Sequence, residues 1–207
     1  MACDHIGYVI FGNFSFLNLI GRIAFPIFAF QITEGFIHTR DFKKYIKKLI
    51  IFACISQIPF TLFLSTFSDN IFTLNIFFTL ILGLLSIYIY KITPNKLLAF
   101  IYILLFGIIA EFIDVDYGMY GIFLIFLFYI FKNKKIFMIL SVILLTIAKY
   151  IPSLITYSFL QTRFYLCIIF TCLSLIFICF YNKKEGPKAK YLFYIFYPLH
   201  LIILYFL

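Results

Sequence analysis

The sequence predicts an all-α, polytopic integral membrane bundle with about nine spans, the first of them short. Three observations predict it. The chain has 207 residues, of which 65% are hydrophobic and only 12% charged. A soluble domain carries about a quarter of its residues charged, so lipid must solvate most of this surface. Mean hydropathy is +1.10. Long, mostly apolar runs such as residues 101–110 and 166–181 stand where a barrel would show alternating strands. In lipid the backbone must satisfy its own hydrogen bonds, which makes such runs helices although their Phe, Ile and Tyr favour strands in water.

A span needs about 20 apolar residues, or about 17 at the short end. The runs place spans near residues 2–14, 19–37, 46–66, 72–90, 97–113, 118–131, 135–151, 164–182 and 190–207. The first is too short to cross alone, so the chain is expected either to enter partway through the bilayer or to lack the upstream half of this helix. The loops alternate in charge. Arg40, Lys43, Lys44, Lys47 and Lys48 follow the second span; Lys91 and Lys96 follow the fourth; Lys132, Lys134 and Lys135 the sixth; Lys183, Lys184, Lys188 and Lys190 the eighth. The intervening loops hold Asp69, then Glu111, Asp114 and Asp116, with Lys149 and Arg163 as the two exceptions. By the positive-inside rule the basic loops are cytoplasmic and the C-terminus Leu207 is outside. A net charge of +9 is thereby explained by topology and not by nucleic acid, which is not expected as a partner. One membrane domain, residues 1–207, is expected, with no internal repeat, no linker and no cleavable signal peptide. Four of the five cysteines lie in apolar runs and read as small helix filler, so neither a disulfide nor a metal is expected.

Ionisable residues inside spans are costly and therefore point to function. At a rise of 1.5 Å per residue, His5 lies ~12 Å below the outer surface and His200 ~15 Å above the inner one, with Ser56 and Gln57 at ~12–14 Å. In a core about 30 Å thick these groups converge near the midplane. Asp4 and His5 are adjacent, about 100° apart on a helix, so they cannot face one point; Arg22 on the next helix is an alternative partner for Asp4. In the second span Pro26 should kink the helix. Gln31, Glu34 and His38 share one face, and Glu34 and His38, a turn apart, are spaced to bond each other. That face points towards the cationic segment from Thr39 to Lys48, which suits either anionic lipid or a phosphate-bearing ligand. Asp116 and Tyr117 lie in an outer turn, where Asp116 reads equally as a helix cap or as a contact for a basic substrate group. His5, His200, Ser56 and Gln57 also have a plainer reading as packing or polar glue between membrane helices, and Glu34 as a solvated carboxylate near a helix end.

Several stretches together resemble the TraX family: Asp4-His5-Ile6-Gly7, residues 21–30 (GRIAFPIFAF), Glu34-Gly35-Phe36 with His38-Thr39-Arg40, Lys44-Tyr45, Ser56-Gln57-Ile58-Pro59-Phe60, Asn70 with Phe72-Thr73-Leu74, Asp116-Tyr117-Gly118 and Tyr197-Pro198-Leu199-His200-Leu201. The resemblance runs from residue 4 to about residue 207. Members of that family usually carry further apolar residues before the Asp-His pair, and often Glu where Gln57 stands.

The resemblance implies a multi-pass protein of the bacterial inner membrane, associated with conjugation and with N-terminal acetylation of pilin, within a superfamily of membrane acyltransferases. It implies acetyl-CoA as acyl donor. Arg40, Lys43 and Lys44 would meet its phosphates, with His38 beside them. His5 would be the general base or a transient acyl carrier, Arg22 would hold a carboxylate or polarise a carbonyl, and Glu34 would orient the donor or move protons. Asp4 would support His5, and His200 would be a second donor at the midplane. Gln57, Asp116 and Tyr117 are the expected substrate contacts. All of these would share one cavity open to the basic side. The other classes considered are a small transporter or flippase subunit using the same polar path, and a noncatalytic interaction subunit.

Overall fold

A computed structural model describes residues 1–11, 14–68, 70–157, 161–184 and 190–207. Ten helices follow one another in it: α1 (Ala2–Phe11), α2 (Phe16–Arg22), α3 (Ala24–His38), α4 (Phe42–Leu64), α5 (Ile76–Ile92), α6 (Lys96–Phe112), α7 (Gly118–Ile130), α8 (Lys135–Thr156), α9 (Gln161–Cys179) and α10 (Lys190–Tyr205). Among the described residues there is no strand, only an isolated bridge between Leu74 and Val115. Each predicted span has its helix, with α2 and α3 together forming the second.

Four stretches are long and apolar enough to cross a membrane alone: Phe16–His38, Phe42–Leu64, Lys135–Thr156 and Thr162–Cys179. The lipid-facing side is legible in side-chain exposure. On α8, Ile136, Leu140, Leu144, Ile147, Ile151 and Ile155 are all exposed at helical spacing, while Met138, Val142 and Thr146 are buried. A continuous exposed apolar stripe of this kind has lipid as its solvent. The most deeply buried helices are α5 and α7, which pack on each other and on α3. Around them α6, α8 and α9 form one flank; α4, α10 and α1 form the other.

The second span breaks at Ile23, not at Pro26. Pro26 sits in the first turn of α3, where a missing N–H is tolerated; what it removes is the bond back to the Arg22 carbonyl, and the helix turns there. The segment expected as a loop from Thr39 to Lys48 is loop only at residues 39–41. Asp41 caps α4, accepting the Lys44 amide at 3.0 Å, so the lysines from Lys43 onward ride on the first turns of the helix. The fourth span begins at Ile76 and not at residue 72. Residues 70–75 run extended because groups from elsewhere hold them. Gln57 Nε2 donates to Thr61 Oγ1 (3.2 Å) and the Thr73 carbonyl (3.0 Å), and its Oε1 accepts from the Asn75 amide (3.0 Å) and Asn75 Nδ2 (2.9 Å). Asn75 also donates to the Ala53 carbonyl at 2.8 Å and caps α5. Gln57 lies seven residues before the end of α4, so α5 starts ~10 Å short of that end. Non-helical backbone at such depth requires burial in protein, and Asn75 is fully buried.

Lysines close the other end of the bundle. Lys96 Nζ donates to the carbonyls of Tyr90 (2.8 Å) and Thr93 (3.0 Å) at the end of α5, and Lys135 Nζ to that of Cys179 (3.3 Å) at the end of α9. Cations there meet unpaired carbonyls and the negative ends of the helix dipoles. Of the charges counted in the sequence, Asp69, Glu185 and Lys188, with the side chain of Lys190, lie outside the described residues, as does Asn13.

Candidate functional site

His5 and His200, 195 positions apart, meet directly. His5 Nδ1 lies 2.9 Å from His200 Nε2, with the two rings parallel within 5°. His200 Nδ1 lies 2.7 Å from the Phe196 carbonyl, one turn back on α10. A carbonyl only accepts, so His200 carries its proton on Nδ1. With both rings neutral, His200 Nε2 is then the acceptor and His5 Nδ1 the donor. That leaves the lone pair of His5 on Nε2, which has no partner among the described residues. The ring is fixed by Phe63 at 4.7 Å.

His200 lines a cavity of about 210 Å³ between α3, α4, α5 and α10. Its walls are mostly apolar (Phe28, Ile32, Leu49, Ile76, Phe77, Leu80), with Gln31, Tyr45, Tyr194 and Tyr197 as further polar groups. Tyr45 stands on the first turn of α4, beside Lys43 and Lys44, with its hydroxyl packed over Gly35. The cavity thus runs from the basic end of the bundle to His200, the member of the imidazole pair that lines it. Arg40, Lys43 and Lys44 themselves are exposed and lie outside its walls. Asp41 pairs with Lys44 at 3.3 Å, and the Lys44 amide it accepts holds its carboxyl below the ordinary range.

The expectation of one shared hollow is corrected: the other ionisable residues form two further clusters, because their helices aim them elsewhere. Asp4 turns away from His5 and towards α2. Its Oδ1 lies 3.8 Å from Arg22 Nη2 and accepts from Asn18 Nδ2 at 3.0 Å, while Asn18 also donates to the Asp4 carbonyl at 2.8 Å. Asn18 is fully buried and closes a capping box with Ser15 at the start of α2. Gly21 makes the approach possible, since any Cβ there would collide with Asp4. Arg22 Nη2 reaches Tyr8 Oη at 3.2 Å, and Arg22 Nε is buried with no partner.

Arg22 faces a small hollow shared with Tyr117, Tyr120, Lys149 and Tyr150. Tyr117 stacks on Phe25 with ring centroids 3.7 Å apart, and Asp116 is close enough to Lys149 and Arg22 to act on both by charge. Tyr117 is held at φ 67, a left-handed conformation costly for a bulky residue, and Gly118 follows at φ 42. Gly118 is required there, because a Cβ would strike the Glu111 carboxylate, which accepts the Met119 amide at 2.7 Å and caps α7. Glu111 is therefore the cap at this turn. Asp116 instead ties the turn to α5 through its backbone: its amide donates to the Leu74 carbonyl at 2.9 Å and its carbonyl accepts from Thr79.

Glu34 and His38 form the third cluster, 3.5 Å apart. Glu34 lines a second cavity, of about 170 Å³, with Phe30, Phe177 and Tyr181. Gln31 borders both this cavity and the one at His200. The remaining expected groups stand apart. Three of the four hydrogen bonds of Gln57 hold the 70–75 segment and the fourth goes to Thr61 on its own helix, and Ser56 is buried with an unpartnered hydroxyl. Sequence alone reads Lys149 as an exception to the loop charges, does not mark Asn18, and gives Tyr45 no role beyond its place in the resemblance; a lysine fourteen residues into the apolar α8 is the available signal. Among the described residues no group of three metal-ligating side chains occurs.

A polytopic helical membrane protein with a paired-imidazole site beside an apolar cavity is what the fold and site define. The family model described as TraX protein matches residues 1–207, and the chain belongs to the TraX family. A probable fimbrial assembly protein of Dichelobacter nodosus, FimC of serogroup H1, is 28% identical over 229 residues, covering 99% of this chain and 89% of that protein. An uncharacterized protein of Rickettsia prowazekii (strain Madrid E) is 31% identical over 102 residues, 49% of this chain and 36% of that protein. No solved structure matches.

Proposed function

We propose that the protein is a membrane-embedded acyltransferase that moves an acetyl group from acetyl-CoA to an amine or hydroxyl of a membrane-associated or exported acceptor. One observation carries this reading: His200, which lines an apolar cavity that also borders Tyr45 at the basic end of α4, is hydrogen-bonded to His5, and that bond leaves a lone pair on His5 Nε2. At about 210 Å³ the cavity is smaller than pockets for drug-sized ligands, which run about 300–1,000 Å³. It suits the slender thiol-bearing arm of the donor, with the charged nucleotide left outside near His38, Arg40, Lys43 and Lys44.

Acetyl-CoA is a substrate here and supplies an acyl carbon with a sulfur leaving group. His5 Nε2 takes the proton from the acceptor's N–H or O–H as the new bond to the acyl carbon forms and the bond to sulfur breaks; the proton then passes to sulfur. While His5 holds that proton, His200 Nε2 accepts from His5 Nδ1, so the positive charge is shared across a charge-assisted bond. The Phe196 carbonyl keeps His200 in the tautomer this requires.

The positive-inside pattern supports a cytoplasmic-membrane location with the basic loops, and hence the donor, on the cytoplasmic side. The name of the Dichelobacter relative, a probable fimbrial assembly protein, supports an exported pilin-like subunit as acceptor, in line with the pilin acetylation that the resemblance implies.

The test is transfer of radiolabelled acetyl from acetyl-CoA in membranes holding the wild type or His5→Ala at equal inserted amounts. Labelling of an acceptor by the wild type alone supports the reading. Equal labelling by His5→Ala, or movement of solute or lipid without acetyl transfer, overturns it.

A further inference from the structure

We propose that the second cavity, between α3 and α9, seats the primary ammonium of a zwitterionic membrane phospholipid, with the lipid's phosphate beside Lys183 and Lys184 and its chains along α9. Glu34, which the acyltransfer mechanism leaves unused, lines this cavity with Gln31 and Tyr181. A carboxylate within a membrane-crossing stretch is costly unless a positive group meets it. Its one ion-pair partner among the described residues is His38 at 3.5 Å. The Glu34 side chain is 19% exposed and that of His38 68%, so the pair is screened on the histidine's side and contributes little. Gln31 is exposed in the same stretch, and its amide and the Tyr181 hydroxyl have no partner among the described residues. An ammonium has three N–H donors and no acceptor. A Glu34 oxygen, the Gln31 carbonyl and the Tyr181 hydroxyl oxygen are three acceptors around one hollow. The rings of Phe30, Phe177 and Tyr181 make most of the remaining wall, with Phe30 and Tyr181 edge to face at 5.4 Å, and ring faces attract a cation.

The position of the cavity points to lipid as the source of the ammonium. Glu34 lies one turn before the end of α3 at His38, ~6 Å by the helical rise, and so close to the basic surface. Tyr181 stands just past the end of α9, and the exposed Lys183 and Lys184 follow it directly. Asn182 Oδ1 accepts the Lys184 amide at 3.0 Å and fixes that turn. A carboxylate for a cation, next to lysines for an anion, matches a headgroup whose phosphate and ammonium are joined by two carbons. Along α9, Ile169, Ile176 and Phe177 are exposed and offer acyl chains an apolar track. The cavity, about 170 Å³, exceeds the ~150 Å³ of an apolar cavity that takes up benzene. The ammonium and its two-carbon arm therefore fit inside, and the phosphate stays outside with the lysines. The seat requires nothing of the acyltransfer chemistry.

The test titrates the full-length protein in detergent with dihexanoyl phosphatidylethanolamine and follows the melting temperature. Dihexanoyl phosphatidylethanol, which keeps the phosphate and the chains but lacks the ammonium, is the reference. The ethanolamine lipid should raise the melting temperature in a saturable way, at concentrations roughly tenfold below those the reference needs, the difference made by one charge-assisted bond. Glu34→Gln should respond to the two lipids alike. Lys183→Gln combined with Lys184→Gln should weaken both responses and keep the tenfold difference between them. The chain has no tryptophan, so Phe177→Trp gives a second readout with Glu34 intact: its emission should shift in a saturable way with the ethanolamine lipid at concentrations where phosphatidylethanol leaves it unchanged. Equal responses of the wild type to the two lipids, or a Glu34→Gln protein that keeps the difference, overturns the proposal. Ethylammonium acting as strongly as the lipid would make this a seat for soluble amines and overturn the lipid assignment. Neither readout involves acetyl transfer, so failure of that activity would leave this result standing.

Discussion

His200 donates from Nδ1 to the Phe196 carbonyl 2.7 Å away, and that single bond on α10 decides which nitrogen of His5, on a helix at the other end of the chain, is free. His200 is in this sense a positioning residue. Replacing it with Leu leaves His5 Nδ1 without its acceptor. Loss of a charge-assisted bond of about 1.5–3 kcal/mol predicts a fall in kcat of roughly 10- to 150-fold, with KM for acetyl-CoA little changed. A kinetic series on His200→Leu in membranes checks this; an unchanged kcat would remove His200 from the mechanism.

Gln57 should behave as a structural tether. Gln57→Leu removes four hydrogen bonds and strands the Thr73 carbonyl and the Asn75 amide. The expected cost is about 1–3 kcal/mol, read by unfolding in mixed micelles, with faster exchange at residues 70–75. Were Gln57 a substrate contact instead, the same variant would raise the acceptor KM and leave stability alone.

The basic residues at the start of α4 and in the loop before it should act on donor capture and not on chemistry. Replacing Arg40, Lys43 and Lys44 together with Gln should raise KM for acetyl-CoA, leave kcat close to wild type, and flatten the salt dependence of KM. Initial rates at several ionic strengths test this.

Asp41 gives a pH effect of known sign. Its carboxyl is held below the ordinary value by the Lys44 amide. A depressed folded value contributes stability that is present above the unfolded value and is lost as the pH falls through the folded one. The start of α4 should therefore fray under acid conditions. Hydrogen exchange at the Lys44 amide should accelerate there in the wild type, and Asp41→Ala should show the fast exchange at neutral pH already.

Much of the architecture was legible because burying backbone in lipid leaves helices as the answer for long apolar runs. The start of α5 was not, since Ile71, Phe72 and Leu74 read as more of the same span; what holds them extended is Gln57, on another helix. That His5 and His200 lie at one level followed from the helical rise, and the angle between adjacent side chains foretold that Asp4 and His5 would part. Depth alone could not place groups around the bundle. Glu34 shares the cavity-bordering face with Gln31 yet opens on α9, and Arg22 looks towards α8, where Lys149 reads in the sequence as a stray loop charge.

The central claim is the tautomeric chain from Phe196 through His200 to His5. Only three histidines occur in the sequence, so ¹⁵N-histidine NMR of the full chain, with His38→Gln for assignment, measures it directly. The account predicts His5 protonated on Nδ1 and bare on Nε2, with a coupling across the bond from His5 Nδ1 to His200 Nε2. A His5 ring protonated on Nε2, with no coupling to His200, would contradict it.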